Sequence, residues 1–230
     1  MILRGETVDI LKDFFPVWNK IDEKQQEELK KSALIKKFDK GTSLHNVVGN
    51  CSGLFIVTSG QIRVFIISET GKEITLYRLF DRDACLFSAA CMMNNIQFDI
   101  CIEAEKPTET ILIPSPVYKK LSDESLSISN FNNQLMASRF SEVMWLVEQI
   151  SFTSMDKRLA AYLLEQSAIY DSTTINLTHE SMANDLGTAR EVISRMLKYF
   201  QNEGLVSVFR GGVSILNMDK LQNFSHNTNK

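Results

Sequence analysis

Short runs of hydrophobic residues, separated by residues that favour turns, dominate the first half of the chain. The runs occupy residues 54–57, 62–67, 74–79, 99–104 and 110–113. Residues 69–72, Glu-Thr-Gly-Lys, lie between the second and third runs and have the composition of a hairpin turn. Several short strands with turns at this spacing predict a small β-sandwich or barrel.

The pattern becomes helical after Pro114 and Pro116. The predicted helices lie within residues 8–34 and at 117–121, 128–150 and 155–170. The long helix carries an apolar seam at three- and four-residue steps: Met136, Phe140, Val143, Val147 and Ile150. Such a seam must be buried, and a second copy of the chain is the economical partner. Packing on the chain's own β-domain is the alternative, and both can hold on different faces of the helix.

Two short helices joined by a tight turn are predicted near the C-terminus. Thr178 is placed to cap the first helix, and Gly187 supplies the left-handed residue that ends it. Thr188 is predicted to cap the second helix, residues 189–201, with Glu191 in the capping-box position. This arrangement is typical of proteins that place the second helix in the major groove of DNA.

The second helix has an apolar side and a polar side. At about 100° per residue, the apolar side is Val192, Ile193, Met196, Leu197 and Phe200, and the polar side is Arg190, Glu191, Ser194 and Arg195. Arginine can donate two hydrogen bonds to guanine and glutamate can accept one from cytosine, so the polar side is interpreted as a base-reading surface. An ion pair between Glu191 and Arg195 on a solvated face is the alternative. The preceding capped helix and its glycine turn favour base reading.

A pair of short apolar runs follows this helix. Residues 205–208 and 213–216 flank the segment Arg210-Gly211-Gly212. Two strands around a Gly-Gly turn predict a wing, with Arg210 placed to contact a DNA phosphate. A helix-turn-helix followed by a wing is a specific combination, and it predicts DNA binding.

The net charge of −3 is compatible with DNA binding, because a DNA-binding surface needs only local positive charge. Residues 188–212 contain four cations and two carboxylates, a balance of +2, which leaves −5 for the rest of the chain. The 230 residues predict two compact units. The first twelve residues lack a continuous apolar stretch, and the uncharged segment 84–98 is shorter than the roughly 20 residues of a membrane helix. We therefore expect a cytoplasmic protein with no membrane partner.

Cysteine and histidine spacing indicates neither a metal site nor an enzyme. The four cysteines, Cys51, Cys85, Cys91 and Cys101, contain no C-x-x-C pair, so no zinc site or thioredoxin-type motif is predicted. Burial as small hydrophobic residues is the favoured interpretation of the cysteines, and a redox role is the alternative. The three histidines form no visible nucleophile–base pair or metal spacing, so catalysis is not expected.

Three segments resemble motifs of the catabolite activator/FNR (CRP/FNR) family of bacterial regulators. Residues 54–64 resemble the β-roll signature of that family, residues 69–73 its following hairpin, and residues 188–195 its recognition motif. The resemblance spans nearly the whole chain. It implies an α+β fold: an N-terminal β-roll (cupin-like jelly roll) sensor domain at residues 1–126, a long dimerisation helix at 127–151 and a winged helix-turn-helix domain at 152–230.

The resemblance also implies a homodimer bound to palindromic double-stranded DNA, with RNA polymerase as a further partner. Arg190, Glu191 and Arg195 match the base-reading positions of the family, which implies half-sites like TGTGA or TTGA. Ser194 fits the second type of half-site. Phosphate contacts are expected from Thr178, Thr188, Lys198 and Arg210.

The departures from the family concern its ligands. Members that bind cyclic nucleotides carry a Gly-Glu segment and an Arg followed by Ser or Thr, where this chain has Leu86-Phe87 and Phe98-Asp99. Cyclic AMP is therefore not expected as a ligand, because the cation for its phosphate is missing. No cysteine precedes Cys51, so the N-terminal cysteine run of the iron–sulfur branch is missing as well. No cofactor is expected.

An effector pocket is the remaining candidate site of the sensor domain. By position its lining residues are Phe87, Ser88, Phe98, Arg139, Val143 and Met144. Apolar walls with few polar groups suit a small hydrophobic or weakly polar ligand of unknown identity. Filling of the space by Phe87 and Phe98, which would leave a constitutive regulator, is the alternative.

A function of a different class is a ligand- or redox-sensing module whose helix-turn-helix mediates protein contacts. Such a protein would keep the fold but lack a salt-dependent affinity for DNA.

Overall fold

The computed structural model describes residues 10–45, 53–85 and 100–226. Its strands are β1 (Leu34–Phe38), β2 (Ser43–His45), β3 (Gly53–Ser59), β4 (Ile62–Ile67), β5 (Glu73–Leu79), β6 (Ala84–Cys85), β7 (Ile100–Ala104), β8 (Thr108–Pro114), β9 (Thr174–Ile175), β10 (Val206–Phe209) and β11 (Gly212–Ile215). Its helices are α1 (Glu23–Ser32), α2 (Ser115–Glu124), α3 (Leu126–Phe152), α4 (Met155–Tyr170), α5 (His179–Leu186), α6 (Arg190–Asn202) and α7 (Met218–His226). Residues 10–14 are also helical, and Trp18–Lys20 form a 3₁₀ turn.

The described residues divide into two compact units. One comprises the described residues up to Ile67 and those from Leu76 to Val143, and the other comprises Ser68–Thr75 and the described residues from Met144 onward. The division falls inside α3, so this helix contributes residues to both units.

Two four-stranded sheets form the β-roll of the N-terminal half. Their strand orders are β1-β8-β3-β6 and β2-β7-β4-β5. Strand β3 pairs antiparallel with β8, with Leu54 opposite Ile113, and β4 pairs antiparallel with β7, with Val64 opposite Ile102. All five predicted strand segments fall on strands of these sheets, which confirms the predicted β-roll.

Strand β3 is buried on both faces, which explains its continuous apolar run. Side chains alternate between the two faces of a strand. Leu54 and Ile56 pack in a cluster with the N-terminal helices and α2, whereas Phe55 and Val57 pack in a second cluster with side chains of β4, β5 and β7. A strand that buries both faces needs apolar residues at successive positions rather than at alternate ones.

The long helix α3 packs on the β-roll with one side only. Ile128 and Arg139 are buried on this side, and Phe131 and Leu135 are half-buried against the cluster that contains Leu54. Most of the predicted seam is exposed in the single chain: Met136 (39%), Phe140 (67%), Val147 (46%) and Ile150 (44%). The side of α3 that packs on the chain's own β-domain is therefore a different one from the seam. In the described ranges, no helix has the length and apolar character needed to cross a membrane.

The C-terminal half of the chain forms the predicted helix-turn-helix and wing. Helices α4 to α7 enclose a core with the three-stranded sheet β10-β11-β9. The wing strands β10 and β11 pair antiparallel, with Val208 opposite Val213. Thr178 caps α5 by accepting a hydrogen bond from the Ser181 amide at 3.1 Å, as predicted.

The predicted cap of the second helix is wrong by one residue. Helix α6 begins at Arg190, and its N-cap residue is Ala189, which has no side chain able to accept a hydrogen bond. The amide of Thr188 donates to the Ala183 carbonyl at 2.9 Å. Thr188 therefore belongs to the end of α5, where the left-handed Gly187 turns the chain, and it cannot also be the cap of α6.

Gly187 lies closer to a neighbouring side chain than does Gly204, the second left-handed glycine of this unit. Their φ angles are +65° and +69°, but a Cβ on Gly187 would lie 2.4 Å from Ile74 Cγ1, whereas a Cβ on Gly204 would meet nothing within 4 Å. Gly204→Ala should lower the free energy of unfolding by about 1–2 kcal/mol through backbone strain alone. Gly187→Ala should lower it by about 2–5 kcal/mol, because Ile74 must also move. Urea unfolding of the full chain followed by circular dichroism measures both, and equal losses would rule out the Ile74 contact.

Candidate nucleic-acid interface

Helix α6 is strongly amphipathic, and its polar side faces solvent. Ile193, Leu197 and Phe200 are fully buried in the core of the helix-turn-helix unit. The predicted base-reading residues Arg190, Glu191 and Arg195 are exposed, and Ser194 is half-exposed. In the described part of the chain, Glu191 and Arg195 form no ion pair with each other. Their charged groups are therefore available to a partner molecule.

A buried carboxylate supports the first helix of the motif. Asp185 of α5 is 8% exposed and accepts hydrogen bonds from the Tyr162 hydroxyl and the Thr75 hydroxyl, both at 2.6 Å. Arg158 donates to the Leu186 carbonyl at 2.7 Å, at the C-terminal end of α5. Burial lowers the pKa of Arg158. These bonds fix the orientation of α5, since buried polar groups hold their partners in one geometry.

The buried position of Asp185 was not predicted from the sequence. Its neighbours Met182, Ala183 and Leu186 are buried. Residues three apart lie on the same face of a helix, so Asp185 shares the buried face of Met182. This spacing is a signal that could have indicated its burial.

A cleft lies between the start of the helix-turn-helix and the wing. Its volume is about 420 Å³, and its lining residues are Thr178, His179, Glu180, Arg190, Val208, Phe209, Arg210 and Gly211. Two arginines and one glutamate give the cleft an excess of positive charge, and the N-terminus of α5 adds a partial positive charge. Such a cleft can bind a phosphate group.

The fold brings three of the predicted DNA contacts together in this cleft: Thr178, Arg190 and Arg210. Four others lie on α6 outside its lining: Glu191, Ser194, Arg195 and Lys198. Thr188, half-buried in the turn before α6, is outside the lining as well.

His179 contacts a residue of the predicted base-reading surface directly. Its Nδ1 atom lies 2.8 Å from Ser194 Oγ, a hydrogen bond that joins α5 to α6. Burial and the positive charge of Arg190 lower the pKa of His179 below its ordinary value of 6.5. The ring is therefore neutral at pH 7 in the free protein.

The predicted effector pocket is described only in part. Phe87, Ser88 and Phe98 lie outside the described residues, Val143 is half-buried and Met144 is exposed. Arg139 is buried over the ring of Tyr77, at 4.7 Å from Cζ to the ring centroid. Its Nη1 donates to both carboxylate oxygens of Glu142 at 2.8 Å, and its Nη2 lies 3.7 Å from Asp83 Oδ1.

The charge of Arg139 is thus already compensated by the chain. Burial by itself lowers the pKa of Arg139, but the hydrogen bond and charge of Glu142, with a contribution from Asp83, raise it above the ordinary value. Burial raises the pKa of the stacked Tyr77 far above the ordinary tyrosine value. At pH 7 the arrangement is a cation held by two carboxylates over a neutral phenol.

Two of the four cysteines lie in described strands. Cys85 is buried and Cys101 is half-buried. Cys51 and Cys91 lie outside the described residues. Within residues 10–45, 53–85 and 100–226, no three histidine, cysteine, aspartate or glutamate side chains converge as metal ligands would.

The helix pair α5–α6 with the wing β10–β11 defines a DNA-binding domain of the winged helix-turn-helix class. The family model of the Crp-like helix-turn-helix domain matches residues 157–224. A crystal structure of a protein of the CRP/FNR family from Eubacterium rectale is 47% identical to this chain with a TM-score of 0.91, over 94% of this chain and 100% of that one.

Curated relatives agree with this structural match. The anaerobic regulatory protein of Aggregatibacter actinomycetemcomitans is 29% identical over 203 residues, which are 85% of this chain and 77% of the relative. The fumarate and nitrate reduction regulatory protein of Escherichia coli (strain K12) is 26% identical over 204 residues, 84% of this chain and 79% of the relative. The chain belongs to the CRP/FNR family of transcription regulators, as its sequence motifs predicted.

Proposed function

We propose that the protein is a homodimeric transcription regulator that reads a palindromic operator with α6 in the major groove. The observation that carries this proposal is the exposed polar face of α6. It lies beside a positively charged cleft and opposite an apolar face on which Ile193, Leu197 and Phe200 are fully buried. A helix of this kind can place its N-terminal residues against base edges in the major groove while its other side stays packed in the domain.

The base-reading residues of the proposal are Arg190, Glu191, Ser194 and Arg195. Their exposure and the lack of an ion pair between Glu191 and Arg195 support this role. Arginine suits guanine and glutamate suits cytosine, so half-sites related to TGTGA or TTGA are expected.

Contacts to the DNA backbone are assigned to four further residues. Arg210 and Thr178 line the cleft beside the wing, where a phosphate fits between the strand turn and the start of α5. Lys198 is exposed one helical turn beyond Ser194, and Thr188 lies in the turn between the two helices. These contacts supply affinity rather than sequence preference.

A second copy of the chain is the proposed partner of α3. The helix has 27 residues, which corresponds to about 40 Å. Its seam from Met136 to Ile150 is apolar and mostly exposed, and an equivalent helix would cover it in a two-fold symmetric pair. Dimerisation would present two α6 helices to successive major grooves, about 34 Å apart.

Regulation is proposed to involve an effector other than cyclic AMP, with Arg139, Val143 and Met144 near its site. The two carboxylates on Arg139 support this, because a phosphate ligand would have to displace them from the guanidinium group. A regulator of this type would act in the cytoplasm together with RNA polymerase.

Selection of random duplex DNA by the purified full chain tests the proposal. We expect a two-fold symmetric motif with TGTGA- or TTGA-like arms. We also expect the affinity for it to fall steeply between about 50 and about 200 mM salt. If no motif is recovered, a selection repeated with a metabolite extract shows whether an effector was missing or the protein does not bind DNA specifically. If neither selection recovers a motif and no salt-dependent affinity is found, the helix-turn-helix serves protein contacts and the proposal is wrong.

A further inference from the structure

The hydrogen bond between His179 and Ser194 links a titratable ring to a predicted base-reading side chain. His179 is the first residue of α5, directly after the cap Thr178, and Ser194 lies on α6 between Glu191 and Arg195 in sequence. The distance of 2.8 Å between Nδ1 and Oγ is that of a good hydrogen bond. Both residues are half-exposed, so DNA can reach the hydroxyl while the ring stays in contact with it.

The protonation state of the ring determines which hydrogen bonds the hydroxyl can offer to DNA. A serine hydroxyl has one hydrogen to donate and two lone pairs that accept. A neutral ring that carries its hydrogen on Nε2 has a bare Nδ1, which accepts the serine hydrogen, and the outward side of the hydroxyl is then an acceptor only. A protonated ring donates from Nδ1 to the serine oxygen, and the serine hydrogen then points outward as a donor.

We infer that His179 is a positioning residue of the base-reading surface, which sets the hydroxyl of Ser194 and makes base preference at one half-site position depend on pH. A neutral ring with its hydrogen on Nε2 favours a base with an amino group at that position, adenine or cytosine, because the hydroxyl accepts. A protonated ring favours guanine or thymine over cytosine, because the hydroxyl donates and cytosine has no acceptor in the major groove. The inference rests on the proposed function.

The charged groups around His179 determine the pH range in which this change occurs. They are Glu180 on the same helix, Arg190 at the start of α6 and Arg210 on the turn between β10 and β11, all of which line the same cleft. Burial and Arg190 lower the pKa of His179 in the free protein. A DNA phosphate in the cleft adds a negative charge and raises that pKa again. The change in preference is therefore expected on the acid side of neutrality and in the bound state.

Competition between duplexes in one sample measures base preference separately from the overall affinity for DNA. The position read by Ser194 is first located as the one where Ser194→Ala alters base preference. Duplexes with each of the four bases there then compete for the full-length protein between about pH 8 and about pH 5. Phosphate contacts and the fraction of active protein affect binding of all four duplexes equally, so they cancel in the ratios of the bound duplexes. For the wild type, the preference for guanine or thymine over cytosine should rise about three- to tenfold as the pH falls.

Two variants serve as matched controls. His179→Asn retains a hydrogen-bonding group near the position of Nδ1 but does not titrate, so its base preference should be independent of pH. Ser194→Ala lacks the hydroxyl, and its base preference should be independent of pH as well.

Three results would overturn the inference while leaving the proposed function intact. They are a wild-type preference constant within about twofold, a pH dependence that persists in either variant, and a Ser194→Ala variant with unaltered base preference at every position. Loss of all salt-dependent DNA binding in the wild type at neutral pH would instead refute the proposed function, and the inference with it.

Discussion

A Phe140→Glu substitution is expected to weaken binding to a two-fold symmetric operator by about 100- to 10 000-fold. Phe140 lies in the middle of the α3 seam, with 67% of its surface exposed in the single chain. In the proposed dimer the new carboxylate would be buried without a partner, which is strongly unfavourable. Monomers would then bind the two half-sites independently, and the gain from linked binding would be lost. Sedimentation equilibrium measures the dimer, and fluorescence anisotropy with labelled operator measures the affinity.

Gln134→Glu is the matched control for this substitution. It adds the same charge to α3 at an exposed position about 160° around the helix from Met136, away from the seam. Dimerisation and operator affinity should stay close to those of the wild type. The proposed dimer is wrong if Phe140→Glu remains as strongly dimeric as the wild type. A Phe140→Glu monomer that still binds the full palindrome with wild-type affinity would show that dimerisation is not needed for recognition.

Arg195→Ala and Lys198→Ala are expected to have different effects on DNA recognition. Both side chains are exposed on α6, but only Arg195 lies on the predicted base-reading surface. Removal of Arg195 should reduce discrimination at one half-site position by about 1–3 kcal/mol, which is about a 5- to 150-fold change in relative affinity. Removal of Lys198 should weaken binding to all sequences alike and reduce the slope of log affinity against log salt by about one.

Affinities for a panel of single-base operator variants, measured at two salt concentrations, separate these two effects. If Arg195→Ala lowers affinity uniformly across the panel, Arg195 contacts the backbone and is not a base-reading residue. If Lys198→Ala changes base preference, the backbone role assigned to Lys198 is the error.

Much of the fold could be predicted from the sequence because its signals are local. The turn at residues 69–72, the left-handed Gly187 and the left-handed Gly211 of the wing turn each require particular residue types at particular positions. The amphipathic pattern of α6 identifies both its buried side and its polar side, since helix periodicity alone places Ile193, Leu197 and Phe200 together. The N-cap of α6 was misplaced by one residue because threonine at position 188 suits the end of one helix as well as the start of the next.

The sequence by itself therefore determined five strands of the β-roll, the long helix, the helix-turn-helix with its wing, and which side of α6 faces solvent. It did not predict β1, β2, β6, β9 or α7. Only the tertiary structure decided which distant residues meet: Thr75 and Tyr162 on Asp185, Asp83 and Tyr77 on Arg139, and His179 on Ser194. Thr75 and Asp185 are 110 positions apart, and His179 and Ser194 are 15 apart on different helices. Periodicity reports which face of an element is buried, but a hydrogen bond depends on the distance and angle between two elements, which packing alone sets.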